Sequence, residues 1–101
     1  MPSPVLPEIV AEITLLPSTA GGRNESIRQG EYRGVLGAGG EHFSFRAVVP
    51  FQDGFQPGHT ARLGVQFLFP RAALEHFPVG GAFTLWEGGP IGLGKVLEVL
   101  R

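Results

Sequence analysis

The sequence predicts an all-β domain, an antiparallel barrel or sandwich. Three features carry that prediction: short apolar segments alternating with period two, Gly- and Pro-rich punctuation between them, and no stretch long enough for helical crossovers. The 101 residues fit one domain, because chains usually start a second core only beyond roughly 150–250 residues. Hydrophobic residues make up 43% and charged residues 17%, against the roughly 25% charged that is usual for soluble domains, so the chain builds a packed core and is not disordered.

Taken in order, residues 1–8 hold Pro2, Pro4 and Pro7, which lack backbone donors and fix φ. They read as an extended lead-in outside the core, with the domain spanning 9–101. The first strand, near 9–16, turns Ala11, Ile13 and Leu15 inward and Glu12 and Thr14 outward. A turn region follows from Pro17 to Asn24, then a strand near 27–36 and a Gly37–Gly40 turn. The third strand, 43–49, sets Phe43, Phe45, Ala47 and Val49 against Ser44 and Arg46. After the Pro50–Gly58 loop, the fourth, 62–69, places Leu63, Val65, Phe67 and Phe69 on one face and Arg62 and Gln66 on the other.

Arg71 to Phe77 is the one helix-like piece, two turns at most between Pro70 and Pro78, and is expected as a turn or single helical turn. Strands near 82–87 and 91–100 complete the set, separated by Gly88–Pro90. In the former, the inward parity of Phe83 and Leu85 turns Thr84 and Trp86 outward.

The chemistry-bearing residues form no recognisable constellation. Gly37-Ala38-Gly39-Gly40 precedes a strand and not a Lys-Ser/Thr pair opening a helix, so it is not a phosphate-binding loop, and Gly92-Leu93-Gly94 also lies in a β context. His42, His59 and His76 stand seventeen residues apart, outside the spacings that bring two imidazoles onto one metal. Without Cys the chain has no disulfide, thiolate nucleophile or Cys-ligated zinc. The serines lack an orienting third group and the nine carboxylates are spread over outward faces and loops. No enzyme, cofactor or metal site is expected.

A net charge of -1 and a pI near 6.3 give no overall field toward nucleic acid or anionic membrane. The longest apolar runs fall far short of the ~18–20 residues of a membrane span. Residues 1–7 lack the basic and apolar regions of a signal peptide, which makes the cytoplasm the expected location. Two features point to binding. The lone tryptophan, Trp86, faces outward and leads into Glu87-Gly88-Gly89-Pro90, as a contact surface would. Arg23, Arg28 and Arg33 flank Glu25 and Glu31, forming either a mixed solvated face or an RNA-phosphate patch.

From Ile9 to Val99 the chain resembles the C-terminal, third β-barrel domain of bacterial elongation factor Tu. The shared marks run in order: Ala11-Glu12-Ile13, Gly21-Gly22-Arg23, Tyr32-Arg33, Phe43-Ser44-Phe45-Arg46, Pro57-Gly58, Phe69-Pro70, Glu87-Gly88-Gly89 and Gly92-Leu93-Gly94-Lys95-Val96. The resemblance implies a six-stranded antiparallel Greek-key barrel. It also implies a non-catalytic domain that packs on a GTPase domain, touches the T-arm of aminoacyl-tRNA and meets the nucleotide exchange factor.

The chain departs from the family pattern at Asn24-Glu25-Ser26-Ile27, at Gly34-Val35, at Pro90 and at Trp86, the last two standing where the family carries Arg. Two basic positions near the T-arm surface are thus lost and an aromatic is gained. Neither the GTPase domain nor the second domain has a counterpart in these residues. The expected role is therefore a non-enzymatic module that engages a protein partner linked to translation, acting as a regulator, decoy or immunity-type protein. The alternative is an RNA-binding domain holding a T-arm-like stem. The residues assigned to binding are Arg23, Arg33, Trp86, Glu87, Gly88, Gly89 and Pro90, and a monomer is favoured over a dimer.

Overall fold

The computed structural model describes residues 4–100. The strands are β1 (Ile9–Leu15), β2 (Gly30–Ala38), β3 (Glu41–Val49), β4 (Thr60–Phe67), β5 (Ala82–Trp86) and β6 (Pro90–Val99). A 3-10 turn spans Ser18–Ala20, and one short helix, α1 (Pro70–Leu74), follows β4. All pairings are antiparallel and the sheet closes in the order β1-β4-β3-β2-β5-β6. With β2, β3 and β4 consecutive and β1 beside β4, this is Greek-key order. The all-β class and the six-stranded antiparallel barrel expected from the sequence are the observed fold.

Period-two alternation works as the sequence dictates. Ile9, Ala11, Ile13 and Leu15 of β1 are buried, as are Leu63, Val65 and Phe67 of β4, Phe45, Ala47 and Val49 of β3, and Phe83 and Leu85 of β5. A closed barrel of this width has room only for its own side chains. Two inward positions must therefore stay without a Cβ. One added at Gly94 would sit 2.5 Å from the Phe83 ring and 2.6 Å from the Glu12 carbonyl oxygen, and one at Gly34 would sit 2.7 Å from the Tyr32 ring.

Four sequence expectations are corrected. The second strand begins at Gly30 (φ 112°) and not at Ile27, which is left as an isolated bridge to Phe55. β2 then runs through Gly37 to Ala38, so the β2–β3 turn narrows to Gly39 and Gly40, both with positive φ. The lead-in is not wholly outside the core. Glu8 is 5% exposed, its Oε1 accepts the Phe67 N–H at 2.7 Å, and its backbone bonds Val65 and Leu100. Met1, Pro2 and Ser3 lie outside the described residues.

The fourth correction is Phe69, which is 71% exposed and not in the core. Pro70 opens α1, and the residue before a proline is held out of helical conformation, here at φ -126°, ψ 81°. Alternation thus ends at Leu68 and the chain leaves the ladder. Phe77, from the segment after α1, is instead buried, 1% exposed, with its ring 4.8 Å from Phe67, 5.7 Å from Phe43 and 5.8 Å from Phe83.

Candidate interaction surface

The expected binding residues divide into two groups. Arg23, Tyr32 and Glu87 converge: one Glu87 oxygen, Oε2, accepts from the Arg23 guanidinium at 2.6 Å and from the Tyr32 hydroxyl at 2.5 Å. Arg23 also donates to the carbonyls of Glu25 (3.1 Å) and Ser26 (3.4 Å). The reason lies in the ladder. β2 pairs with β5 only from Val35 to Gly37, which leaves the Gly30–Gly34 half of β2 unpaired on that side. The loop carrying Arg23 is clasped there by Glu87. Burial, and behind it the Glu87 carboxylate, pushes the Tyr32 hydroxyl well above its usual pKa.

The clasp explains the glycines unequally. Gly88 has φ 69°, which a side chain rarely adopts, whereas Gly89 has ordinary φ and open space around its Cβ position. The Glu87 N–H donates to the Gly89 carbonyl at 2.8 Å, and Pro90 pairs with Trp86 across a bulge. Arg23 and Glu87 are thus engaged with each other, and Gly88 occupies a backbone conformation that favours glycine.

Arg33 is not part of the clasp. Its Nε donates to Glu31 Oε2 at 2.7 Å, while Arg46 reaches Glu31 Oε1 at 2.8 Å. The two guanidiniums hold the Glu31 carboxyl at a pKa of about 2, with Arg46 the larger influence. Arg23 and Arg33 are in ion pairs and Arg28 is in none among the described residues, so the Arg23–Arg33 region is a mixed-charge face.

Trp86 lies on the outer face, as its parity predicts, but it is half-buried. Its Nε1 donates to Thr84 Oγ1 at 2.6 Å, and its ring meets His42 edge-on at 4.6 Å. Gly37, opposite Thr84 on β2, provides the room, since a Cβ there would stand 2.7 Å from the indole nitrogen. The ring is anchored in one position.

The barrel register then makes a surface that no single segment of sequence displays. Leu68 donates its N–H to the Ser44 carbonyl, Ser44 pairs with Val35, and Val35 pairs with Trp86. Leu68, just past the end of β4, therefore forms one outward row with Ser44 of β3, Val35 of β2 and Trp86 of β5. With strands ~4.8 Å apart, the row is about 14 Å long. Its two middle members are small, and a hollow of about 490 Å³ lies beside them, lined by Arg33, Val35, Ser44, Arg46 and Leu68 among others.

At one end Leu68 and Phe69 are 62% and 71% exposed, two adjacent bare apolar side chains. Leu68 also walls a second hollow, shared with Phe69, Pro70, Arg71 and Ala72. Sequence reasoning missed Leu68 and Phe69; the signal that could have found them is Pro70, which ends the alternation one residue early.

Among the described residues no three His, Asp or Glu side chains group to hold a metal ion, and no helix is long and apolar enough to cross a membrane. No protein-family model matches this chain, and no curated protein matches it in sequence.

Proposed function

We propose that this barrel is a non-enzymatic module that engages a protein partner through the outward row from Leu68 to Trp86. One observation carries the reading: the exposed Leu68 and Phe69 stand at the head of an outward row whose far end is an indole held by Thr84. Burying those two side chains on a partner releases apolar surface from water at about 25 cal/mol per Å². Outside the Gly30–Gly34 half of β2, where Glu87 holds the Arg23 loop, the barrel closes by strand pairing in the order β1-β4-β3-β2-β5-β6, so recognition falls mainly to side chains.

The resemblance to the third domain of elongation factor Tu supports a link to translation and a partner drawn from that machinery. It would equally suit an RNA ligand, but Arg23 is engaged with Glu87, and a duplex stem offers nothing apolar to cover Leu68 and Phe69. Protein is accordingly the proposed partner class.

The test is affinity capture from the source cell with the tagged chain and with the Leu68→Ser/Phe69→Ser variant, identifying protein and RNA in the same eluate. Both side chains are exposed, so the variant keeps the fold. A protein that the parent enriches and the variant loses supports the reading. Equal recovery by both, or enrichment of RNA that salt removes, refutes it.

A further inference from the structure

The groove also specifies the charge of what enters it, a step that rests on the partner-binding reading above. The two hollows that meet at Leu68 are lined by three arginines, Arg33 and Arg46 on one side and Arg71 on the other, and by no carboxylate, while a separate hollow at the Trp86 end of the row carries Glu41. Glu31 stands beside this set and compensates one of its charges. Arg33 is held through Nε alone, and its side chain is 76% exposed. Glu31 therefore fixes the guanidinium while leaving its terminal nitrogens for a carboxylate, which they bind in bidentate fashion. Arg71 makes no ion pair among the described residues. Apolar ends and a cationic middle match an amphipathic acidic chain. A duplex stem would present phosphates but nothing to cover Leu68 and Phe69.

We propose that the groove takes an extended acidic segment of a protein partner, with one apolar side chain on Leu68 and Phe69, a second on Trp86, and carboxylates between them on Arg33. An extended chain advances ~3.3 Å per residue, so the ~14 Å row sets the two apolar anchors about four residues apart.

The probe is a phage-displayed library of random dodecapeptides selected on the intact domain, with enriched peptides synthesised and titrated against the parent, Arg33→Glu and Phe69→Ser. Arg33 and Phe69 are both exposed, and circular dichroism verifies that each variant is folded. The expected consensus is two apolar residues at i and i+4 enclosing Asp or Glu. Each variant should weaken binding by about tenfold or more, and added salt should weaken it in the parent. Enrichment of neutral or basic peptides, or acidic peptides that bind Arg33→Glu equally well, overturns the charge assignment and leaves the partner-binding reading standing. Peptides indifferent to Phe69→Ser overturn both. Binding of labelled oligouridine that competes with the selected peptides and is lost in Arg33→Glu would make the groove a nucleic-acid site and likewise overturn the proposal.

Discussion

Replacing Glu87 by Ala distinguishes a residue that holds the barrel from one that waits for a partner. Its carboxylate accepts two charge-assisted bonds, from Arg23 and Tyr32. Buried bonds to a charged group contribute about 1.5–3 kcal/mol each. Here the Arg23 and Glu87 side chains are 25% and 34% exposed, which brings the ion pair down toward the ~1 kcal/mol upper end for solvent-screened pairs. Adding about 1 kcal/mol for the half-buried Tyr32 hydroxyl gives a loss of roughly 2 kcal/mol for Glu87→Ala. In a domain of this size each kcal/mol moves the melting temperature by about 4–8 °C, so the midpoint should fall by about 8–16 °C. Thermal and urea unfolding of the parent, Glu87→Ala, Arg23→Ala and the double variant would measure this directly. The cycle should return an Arg23–Glu87 coupling of about 0.5–1 kcal/mol. A midpoint within ~2 °C of the parent with no coupling would refute the clasp and free Glu87 for a partner.

Gly94→Ala forces a Cβ against the Phe83 ring and the Glu12 backbone, so it should cost at least about 2 kcal/mol in urea unfolding, whereas Gly89→Ala, in open space, should stay within about 0.5 kcal/mol. Glu8→Ala strips the buried Phe67 N–H of its acceptor and should lower stability by about 1–3 kcal/mol, measurable by the same unfolding experiment. The folded-state pKa of Glu31 is depressed to about 2 from an ordinary value of 4.5. Its ion pairs therefore contribute stability above pH 4.5 that is lost as pH falls toward 2, and Glu31→Gln should flatten the stability profile in that window. Tyr32 has the opposite sign. Its raised pKa means stability present below the unfolded value of about 10 and lost at higher pH, which Tyr32→Phe should abolish.

Alternation with period two was enough to place most of the core, because a barrel wall buries one face of every strand and the other meets water. Ala11, Ile13 and Leu15 were legible in this way, as were Phe83 and Leu85. Alternation failed where a competing constraint acted on the backbone. Pro70 bent Phe69 out of the ladder, and Phe77, which the sequence placed in a helix-like turn, is buried against Phe67. Glu8 was illegible for a different reason: a carboxylate among prolines reads as solvated, and only the fold supplies the Phe67 N–H that makes its burial favourable.

The candidate surface was half legible. Parity gave Trp86 its outward direction, but the partners that fix its ring, Thr84, His42 and Gly37, come from three strands. Likewise, Arg23 and Glu87 are 64 positions apart and share their ion pair only because β2 runs out of ladder beside β5.

The same closure that removes free strands from this fold also determines where a partner can be read. In an open sheet an extended ligand would take its affinity from main-chain hydrogen bonds and its specificity from alternate side chains. Here most of the ladder is closed, so affinity must come largely from side chains that stand above the wall, where Arg23, Arg46 and Lys95 are already tied into ion pairs. The row from Leu68 to Trp86 differs because its middle members, Ser44 and Val35, are too small to cover the backbone beneath them, while its ends are large and apolar. Enlarging either middle residue would fill the groove without touching the core. Ser44→Tyr should therefore leave stability unchanged and abolish binding of any ligand that spans the row, whereas a ligand held only at the Leu68–Phe69 step would still bind.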